Sequence, residues 1–365
     1  MKIQVQYQGG DREAVIGHLA ESADGRIFFE YDQHWRAQTI ELSPAYLPNS
    51  TQGSVTTPTP QYGQLFGLFG DSLPDWWGQQ MMKRFFQDKG IPWNSVGVLQ
   101  KLACAGAHAM GAIGYEPPVV SSDFRDELTV EVADLVNNAT SFLHGRTEQI
   151  LPGLMRSGLS PGGAKPKVLL GFNSDFSRTM AGGGGLPDGF DRWLLKFDLD
   201  SDYQHGKEEY AFSLMARNAG IDMAETHLLE CSNGMSHFLS KRFDRPGEAR
   251  RHIHTYSGLT HTQLRDGVEY SQLMDLTRIL TGGELGVEEV FRRACFNVLA
   301  GNDDDHAKNH AFLMQPDGRW DLSPAYDLTS TTNPLASGMR AASVNGKSVG
   351  VDRDDLRELG RSQSV

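Results

Sequence analysis

A helix that runs straight into three consecutive aspartates constrains this chain more than any other feature. In VEEVFRRACFNVLA the apolar residues Val287, Val290, Phe291, Ala294, Cys295, Val298 and Leu299 recur at the i, i+3, i+4, i+7 spacing of one helical face. The spacing predicts a helix that stops at Gly301-Asn302. Cys295 lies on that stripe and reads as core, not as a nucleophile. Asp303, Asp304 and Asp305 follow, then His306, Lys308 and Asn309. NHAFLM and RWDLSP read as the arms of a hairpin around Gln315-Pro316-Asp317-Gly318. Beyond it stands Pro324-Ala325-Tyr326-Asp327. A carboxylate and a carboxamide thus share one loop, and a second carboxylate returns at the far end of a hairpin.

That layout suits metal-assisted phosphoryl transfer. One Asp orients or accepts the proton of the acceptor hydroxyl, while an Asn oxygen and a separate Asp hold Mg²⁺ against the phosphates. Protein kinases write the loop as H-R-D-x-x-x-x-N, with a metal-binding Asp after a hairpin. Asp304 to Asn309 has the D-x4-N spacing, and Asp327 stands where the second metal ligand belongs, with Tyr326-Asp327-Leu328 in place of D-F-G. His306 falls two residues after Asp304, where a cation would sit near the transferred phosphate. Loops rich in Asp and Asn are also ordinary caps and turns, so the remaining parts of an ATP site must be present upstream in the right order.

Candidates for each part exist. Ser157-Gly158-Leu159-Ser160-Pro161-Gly162-Gly163-Ala164 is a glycine-rich loop before a strand, and it is not a Walker A motif because Ala164 replaces the lysine. Lys196 interrupts the apolar strand WLLKF, either as an edge residue facing water or as a phosphate ligand. Glu209 near the start of the next predicted helix could pair with it, as in the kinase lysine–glutamate ion pair. A linker at SKRFDR would offer backbone groups of Lys241 and Phe243 to adenine, and the Asp244 carboxylate to ribose.

Together SPGGAKPK, WLLKF, KRFDR, GNDDDHAKN and SPAYDL resemble the HipA family of serine/threonine kinases, the toxin halves of bacterial toxin–antitoxin pairs. FEYDQHW, ELSPAYLP, FGDSLPDWWGQQMMKR and GAIGYEPP extend the resemblance through the N-terminal third. It implies that Asp304 is the catalytic base, that Asn309 and Asp327 bind Mg²⁺, and that Lys196 holds the ATP phosphates. It also makes Ser160 the autophosphorylation site of the phosphate loop, which its added charge would silence. Lys165 and Lys167 read equally well as phosphate contacts or as solvated loop charges. The implied partners are a HipB-like helix-turn-helix antitoxin and a protein substrate such as an aminoacyl-tRNA synthetase, with DNA reached only through the antitoxin. Members of the family usually continue with further C-terminal helices, so a shortened C-terminal lobe is expected here.

The expected fold is α+β and two-lobed, like a protein kinase. Residues 1–115 would form an extra N-terminal α/β subdomain, 116–245 the ATP-covering lobe, and 246–365 a mainly helical catalytic lobe. Ile3, Val5 and Tyr7 alternate as a strand, and Asp24-Gly25 and Ser232-Asn233-Gly234 mark hairpins. DSLPDWWGQQMMKRFFQDKGIP reads as one helix, with Ser72 and Asp75 as a capping box. KEEYAFSLMARNAGI reads as another, with Ala211, Leu214 and Met215 on one face.

Composition removes other classes. With 34 Lys plus Arg against 46 Asp plus Glu, the net charge is −12, which disfavours broad nucleic-acid binding. Three scattered cysteines make no disulfide framework. No run of 18 apolar residues suggests a membrane span, and a cytoplasmic setting is expected. Three rival readings remain. The Asp305-His306 pair, with His310 four residues after His306, could serve a metal-dependent phosphohydrolase, although a loop or strand there would spoil the helical spacing. A kinase fold could act on a small molecule, since aminoglycoside and choline kinases share D-x-H-x-x-N. An inactive kinase-like scaffold could bind a repressor.

Overall fold

The computed structural model describes the chain from Met1 to Val365 except residues 11–12, 60–63, 120–128, 147–153, 155–164, 183–184, 200–202, 232–233 and 332–338. Strands β1 (Lys2–Tyr7), β2 (Ala14–Glu21), β3 (Ile27–Tyr31) and β4 (Ile113–Glu116) form an antiparallel sheet in the order β3-β2-β1-β4. The alternation in β1 appears as burial of Ile3, Val5 and Tyr7. β2 and β3 pair antiparallel across the Asp24-Gly25 turn, where Gly25 takes φ of +80°. The helical segments α1 (Gln33–Arg36), α2 (Gly67–Gly70), α3 (Trp76–Asp88) and α4 (Val98–Ala105) complete this subdomain.

Helix α3 starts later than the capping-box pattern predicts. Ser72 and Leu73 donate back to Phe69 and Gly70 and so close the turn after α2. Asp75 is then the N-cap itself, accepting from the Gly78 N–H at 3.2 Å. Trp77, Met81 and Phe85 face the core, as their spacing requires.

After α5 (Val132–Leu143) comes an antiparallel sheet of β5 (Lys167–Asn173), β6 (Thr179–Ala181), β7 (Phe190–Lys196), β8 (Thr226–Glu230) and β9 (Ser236–Lys241), ordered β6-β5-β7-β9-β8. The β8–β9 hairpin forms as expected, although Ser232 and Asn233 of its turn lie outside the described residues. Helix α6 (His205–Asn218) packs on β9, but not through the predicted face. Leu214 and Met215 are exposed, while Gly206, Glu209, Ser213 and Ala216 are buried. The reason is proximity: a Cβ at Gly206 would lie 2.1 Å from the Ser236 carbonyl oxygen. Only small side chains fit beneath the helix at that distance, and Glu209 is carried inward with them.

The C-terminal region contains β10 (Ile253–Thr255), β12 (Ala311–Met314) and β13 (Trp320–Leu322) in one sheet, and a parallel pair, β11 (Val268–Glu269) with β14 (Ala342–Ser343). Its helices are α7 (Tyr256–Thr260), α8 (Tyr270–Thr281), α9 (Glu284–Leu299) and α10 (Arg353–Gln363). In α9 the predicted stripe is partly displaced. Val287, Val290 and Ala294 are buried, but Leu299 is 62% exposed, and Arg293 and Asn297 take inward positions. Both are polar for a reason: Arg293 donates to the Ser323 carbonyl and Asn297 binds the loop that follows.

One cluster of buried apolar residues runs through all three regions, from Ile3 through Leu195 to Leu359. The N-terminal subdomain is further locked to the C-terminal region by Asp71, buried at the end of α2. Its carboxylate accepts from the Thr255 N–H at 2.8 Å and the Thr255 hydroxyl at 2.7 Å, and pairs with His254 at 2.6 Å. This contact demands glycine at two positions, since a Cβ on Gly67 would meet the Gly258 carbonyl at 1.9 Å and one on Gly258 would meet the Asp71 carboxylate at 2.5 Å.

Candidate active site

The three aspartates after α9 have three different environments. Asp305 is 1% exposed, accepts from the Tyr270 hydroxyl at 2.8 Å and the Ala342 N–H at 3.0 Å, and is paired with Arg340. Asp303 faces the same arginine at 3.4 Å. Asp304, between them, is the exposed one and lines a cavity. Its backbone is clamped: the N–H donates to the Thr331 hydroxyl at 3.1 Å, and the Asn309 amide donates to its C=O at 2.9 Å. Asn302 supports this turn by donating to Asn297 at 3.0 Å and accepting from Thr331 at 3.0 Å. Arg340 also reaches the Asn297 carbonyl at 3.2 Å. A buried arginine and a carboxamide ladder therefore hold the loop so that only its central carboxylate turns outward.

Opposite the loop, Lys196 at the end of β7 pairs with both Glu209 of α6 and Asp327. Asp327 has φ of +58°, a left-handed conformation uncommon for a residue with a Cβ. Burial disfavours the Lys196 charge, but the two carboxylates outweigh it and hold the ammonium protonated well above the ordinary lysine range. Burial pushes Asp327 up, yet Lys196 more than offsets this and keeps it ionised. Glu209 is raised, with burial prevailing over the pull of Lys196. Asp304 is also raised, by burial first; His306 pulls it down and Asp327 pushes it up. The pocket therefore holds one carboxylate fixed as an anion and another with heightened proton affinity.

Two adjoining cavities share Lys167, Lys196, His306, Lys308, Asn309 and Asp327. One, of about 130 Å³, is an apolar slot walled by Leu194, Phe238, Phe243, Ile253 and Tyr326. The other, about 750 Å³, opens over Asp304. A planar base in the slot and phosphates across the shared residues would match this division.

The chain matches the HipA-like C-terminal domain over residues 159–363. The chain belongs to the HipA family. It also matches the HipA N-terminal domain over residues 11–116. It is 33% identical to a putative kinase, Y4dM, of Sinorhizobium fredii over 188 residues, 46% of this chain and 45% of that protein. It is 24% identical to the serine/threonine-protein kinase toxin HipA of Shewanella oneidensis over 346 residues, 87% of this chain and 73% of that one. The match thus spans less than half the length of the first relative. The solved complex of HipA, HipB and operator DNA from Shewanella oneidensis contains a chain with the same fold. The TM-score is 0.70 at 19% identity, covering 99% of this chain and 85% of that one. The two-lobed, kinase-like α+β architecture is therefore that of HipA.

Within this HipA-family site, the structure brings together Lys196, Glu209, Asp304, His306, Asn309 and Asp327. It does not leave the linker as expected. The Lys241 N–H is paired with the Glu225 carbonyl at 2.8 Å in the sheet, so it does not face the slot. Asp244 is 2% exposed, and Arg242 donates to both of its oxygens, at 2.6 and 2.5 Å. The Gly111 N–H adds a third bond at 2.9 Å, so a ribose would have to displace a buried ion pair. Lys241, Phe243 and Asp244 nonetheless all line the slot. Ser157, Gly158, Ser160, Gly162 and Gly163 lie outside the described residues. Lys167 proves not to be a solvated charge: it is buried opposite Lys196 and pairs with Asp75 at 3.2 Å.

The phosphohydrolase reading fails on geometry. His310 is buried and bonds the Asp305 carbonyl at 3.2 Å, and Asp305 belongs to Arg340. Among the described residues no group of three His, Cys, Asp or Glu side chains could hold a metal. A nucleotide-borne Mg²⁺ needs fewer, because phosphates complete its shell. Asn309 spends its N–H₂ on Asp304, which leaves its amide oxygen as the donor, and Asp327 supplies a carboxylate at the same cavity. Oxygen donors of this kind suit that cation.

Sequence reading missed Arg340, Asn297, Tyr270 and Thr331, which position the loop. Arg340 sits 35 residues from Asp305, and nothing local marks either as a pair.

Proposed function

We propose that the chain is an ATP-dependent serine/threonine protein kinase of the HipA toxin type. The observation that carries this reading is Lys196 held between Glu209 and Asp327 at the cavity that also contains Asp304 and Asn309. Adenine lies in the apolar slot against Phe243, and Lys196 meets the α- and β-phosphates. Asn309 and Asp327 hold Mg²⁺, which supplies charge neutralisation on the phosphates when bound. The acceptor oxygen bonds to the γ-phosphorus, the bond from that phosphorus to the bridging oxygen of ADP breaks, and Asp304 takes the hydroxyl proton. Its proton affinity, raised by burial, favours taking that proton. His306, which lines both cavities and joins Asp304 in the larger one, supports the charge on the transferred group.

The further steps extend the family relation. Ser160 is the autophosphorylation site, a HipB-like helix-turn-helix antitoxin is the partner, and DNA is contacted through it. That solved relative is itself a complex of HipA with HipB and operator DNA, which supports the partner. The acceptor is a protein, with an aminoacyl-tRNA synthetase as the leading candidate, and the setting is the cytoplasm. No helix among the described residues is long and apolar enough to cross a membrane.

The test is incubation of the purified protein with γ-labelled ATP and Mg²⁺, followed by site mapping. Label on Ser160 that is absent from Asp304→Ala supports the assignment. Equal labelling of Asp304→Ala refutes it, and label confined to other residues rejects Ser160 as the switch.

A further inference from the structure

The larger cavity has walls from two separate parts of the chain, and it extends past the residues it shares with the slot. One wall is the start of α3 in the N-terminal subdomain, with Trp76 and Gln79; the other follows α7, with Gln263 and Leu264. Asp304 lines the same cavity. Trp76 is 51% exposed and Leu264 49% exposed, so each presents a large apolar side chain at the rim of the cavity that contains Asp304. Gln79 and Gln263 add a carboxamide on each wall, groups that can both donate to and accept from a peptide backbone.

The first wall is tied to the phosphate side of the site. Asp75 caps α3 through one oxygen and pairs with Lys167 through the other, at 3.2 Å, with side chains 13% and 3% exposed. Lys167 stands directly across from Lys196 in the β5–β7 ladder. Trp76, the residue after that cap, is therefore held in register with the lysine that meets ATP.

Resting on the kinase reading above, we propose that Trp76 and Leu264 form an acceptor clamp. They hold an extended protein segment whose Ser or Thr hydroxyl reaches Asp304 and whose neighbouring side chain is apolar. A volume of about 750 Å³ lies within the range of roughly 300–1,000 Å³ usual for binding pockets. Half-exposed aromatic and aliphatic residues at the rim gain most from burial by a partner, and tryptophan is the residue most enriched at such anchor points. The paired carboxamides favour a peptide backbone over a compact small-molecule acceptor.

The experiment uses the full chain, γ-labelled ATP, Mg²⁺ and a positional-scanning peptide library with a fixed central Ser or Thr. Wild-type protein is expected to select an aliphatic or aromatic residue beside the acceptor. Trp76→Ala and Leu264→Ala are expected to flatten that selection and to raise the peptide KM about tenfold, with the loss in peptide KM and not in ATP KM. Trp76→Phe should recover most of it. Unchanged selectivity and peptide KM in both alanine variants, with wild-type transfer intact, overturns the clamp and leaves the kinase reading standing. Wild-type protein that labels no peptide but labels a small hydroxyl compound overturns both.

Discussion

Replacing Arg340 with methionine should be among the most damaging single changes outside the reacting groups. Arg340 is 7% exposed and is the cation facing Asp305, itself 1% exposed. Burial already raises the Asp305 carboxyl against the pull of that guanidinium. Without the arginine, Asp305 keeps two neutral donors, the Tyr270 hydroxyl and the Ala342 N–H, but no counter-charge. Removing one member of a buried ion pair costs about 3–5 kcal/mol. Arg340→Met should therefore lose about that much in urea unfolding followed by tryptophan fluorescence. Adding Asp305→Asn keeps an acceptor for Ala342 and removes the stranded charge, so the double variant should regain about half. The loop is affected too, because Arg340 also holds Asp303 and the Asn297 carbonyl. A displacement of about 1 Å at Asp304 would lower phosphate transfer about 100-fold. A loss under about 1 kcal/mol, or no recovery in the double variant, would show that the pair does not hold the loop.

Other outcomes follow from the same geometry. Asp304→Asn should reduce phosphate transfer at least about 100-fold while leaving the calorimetric ATP affinity within about threefold. Lys196→Met should abolish transfer and destabilise the protein by about 3–5 kcal/mol, since Glu209 is buried and loses its cation; Glu209→Gln should unfold at a higher urea concentration than Lys196→Met. Burial holds His252 and His310 down to about 3 against an unfolded value near 6.5. A depressed folded pKa makes their stabilising contribution complete above about pH 6.5 and lost as pH falls toward 3. Each should remove about 1.4 kcal/mol per pH unit in that window. Urea midpoints measured from pH 7 to 5 should fall, and His252→Asn should flatten the slope; a flat wild-type profile would count against it.

Much of the site could be read from residue order because its chemistry is written in local spacing. D-x4-N places two functional groups on one loop whatever surrounds it, and the hairpin necessarily returns Tyr326-Asp327 to that loop. Lys196 was visible as a charge breaking an apolar strand. What local spacing could not decide was how neighbouring charges divide their roles. Asp303, Asp304 and Asp305 are chemically identical in sequence, and Arg340, a distant residue, draws two of them inward. The linker shows the same limit, since Arg242 claims Asp244 and a sheet partner claims the Lys241 N–H. Helices α6 and α9 were expected to bury their apolar stripes, yet Leu214, Met215 and Leu299 face outward. Periodicity reports which residues share a face, and tertiary packing chooses which face goes in. Here close approach to β9 and the hydrogen bonds of Asn297 outweighed hydrophobic content. The sequence by itself determined the candidate groups, their order and the family. Only the tertiary structure decided which of them meet, because long-range ion pairs and backbone contacts, not spacing, set the direction of each side chain.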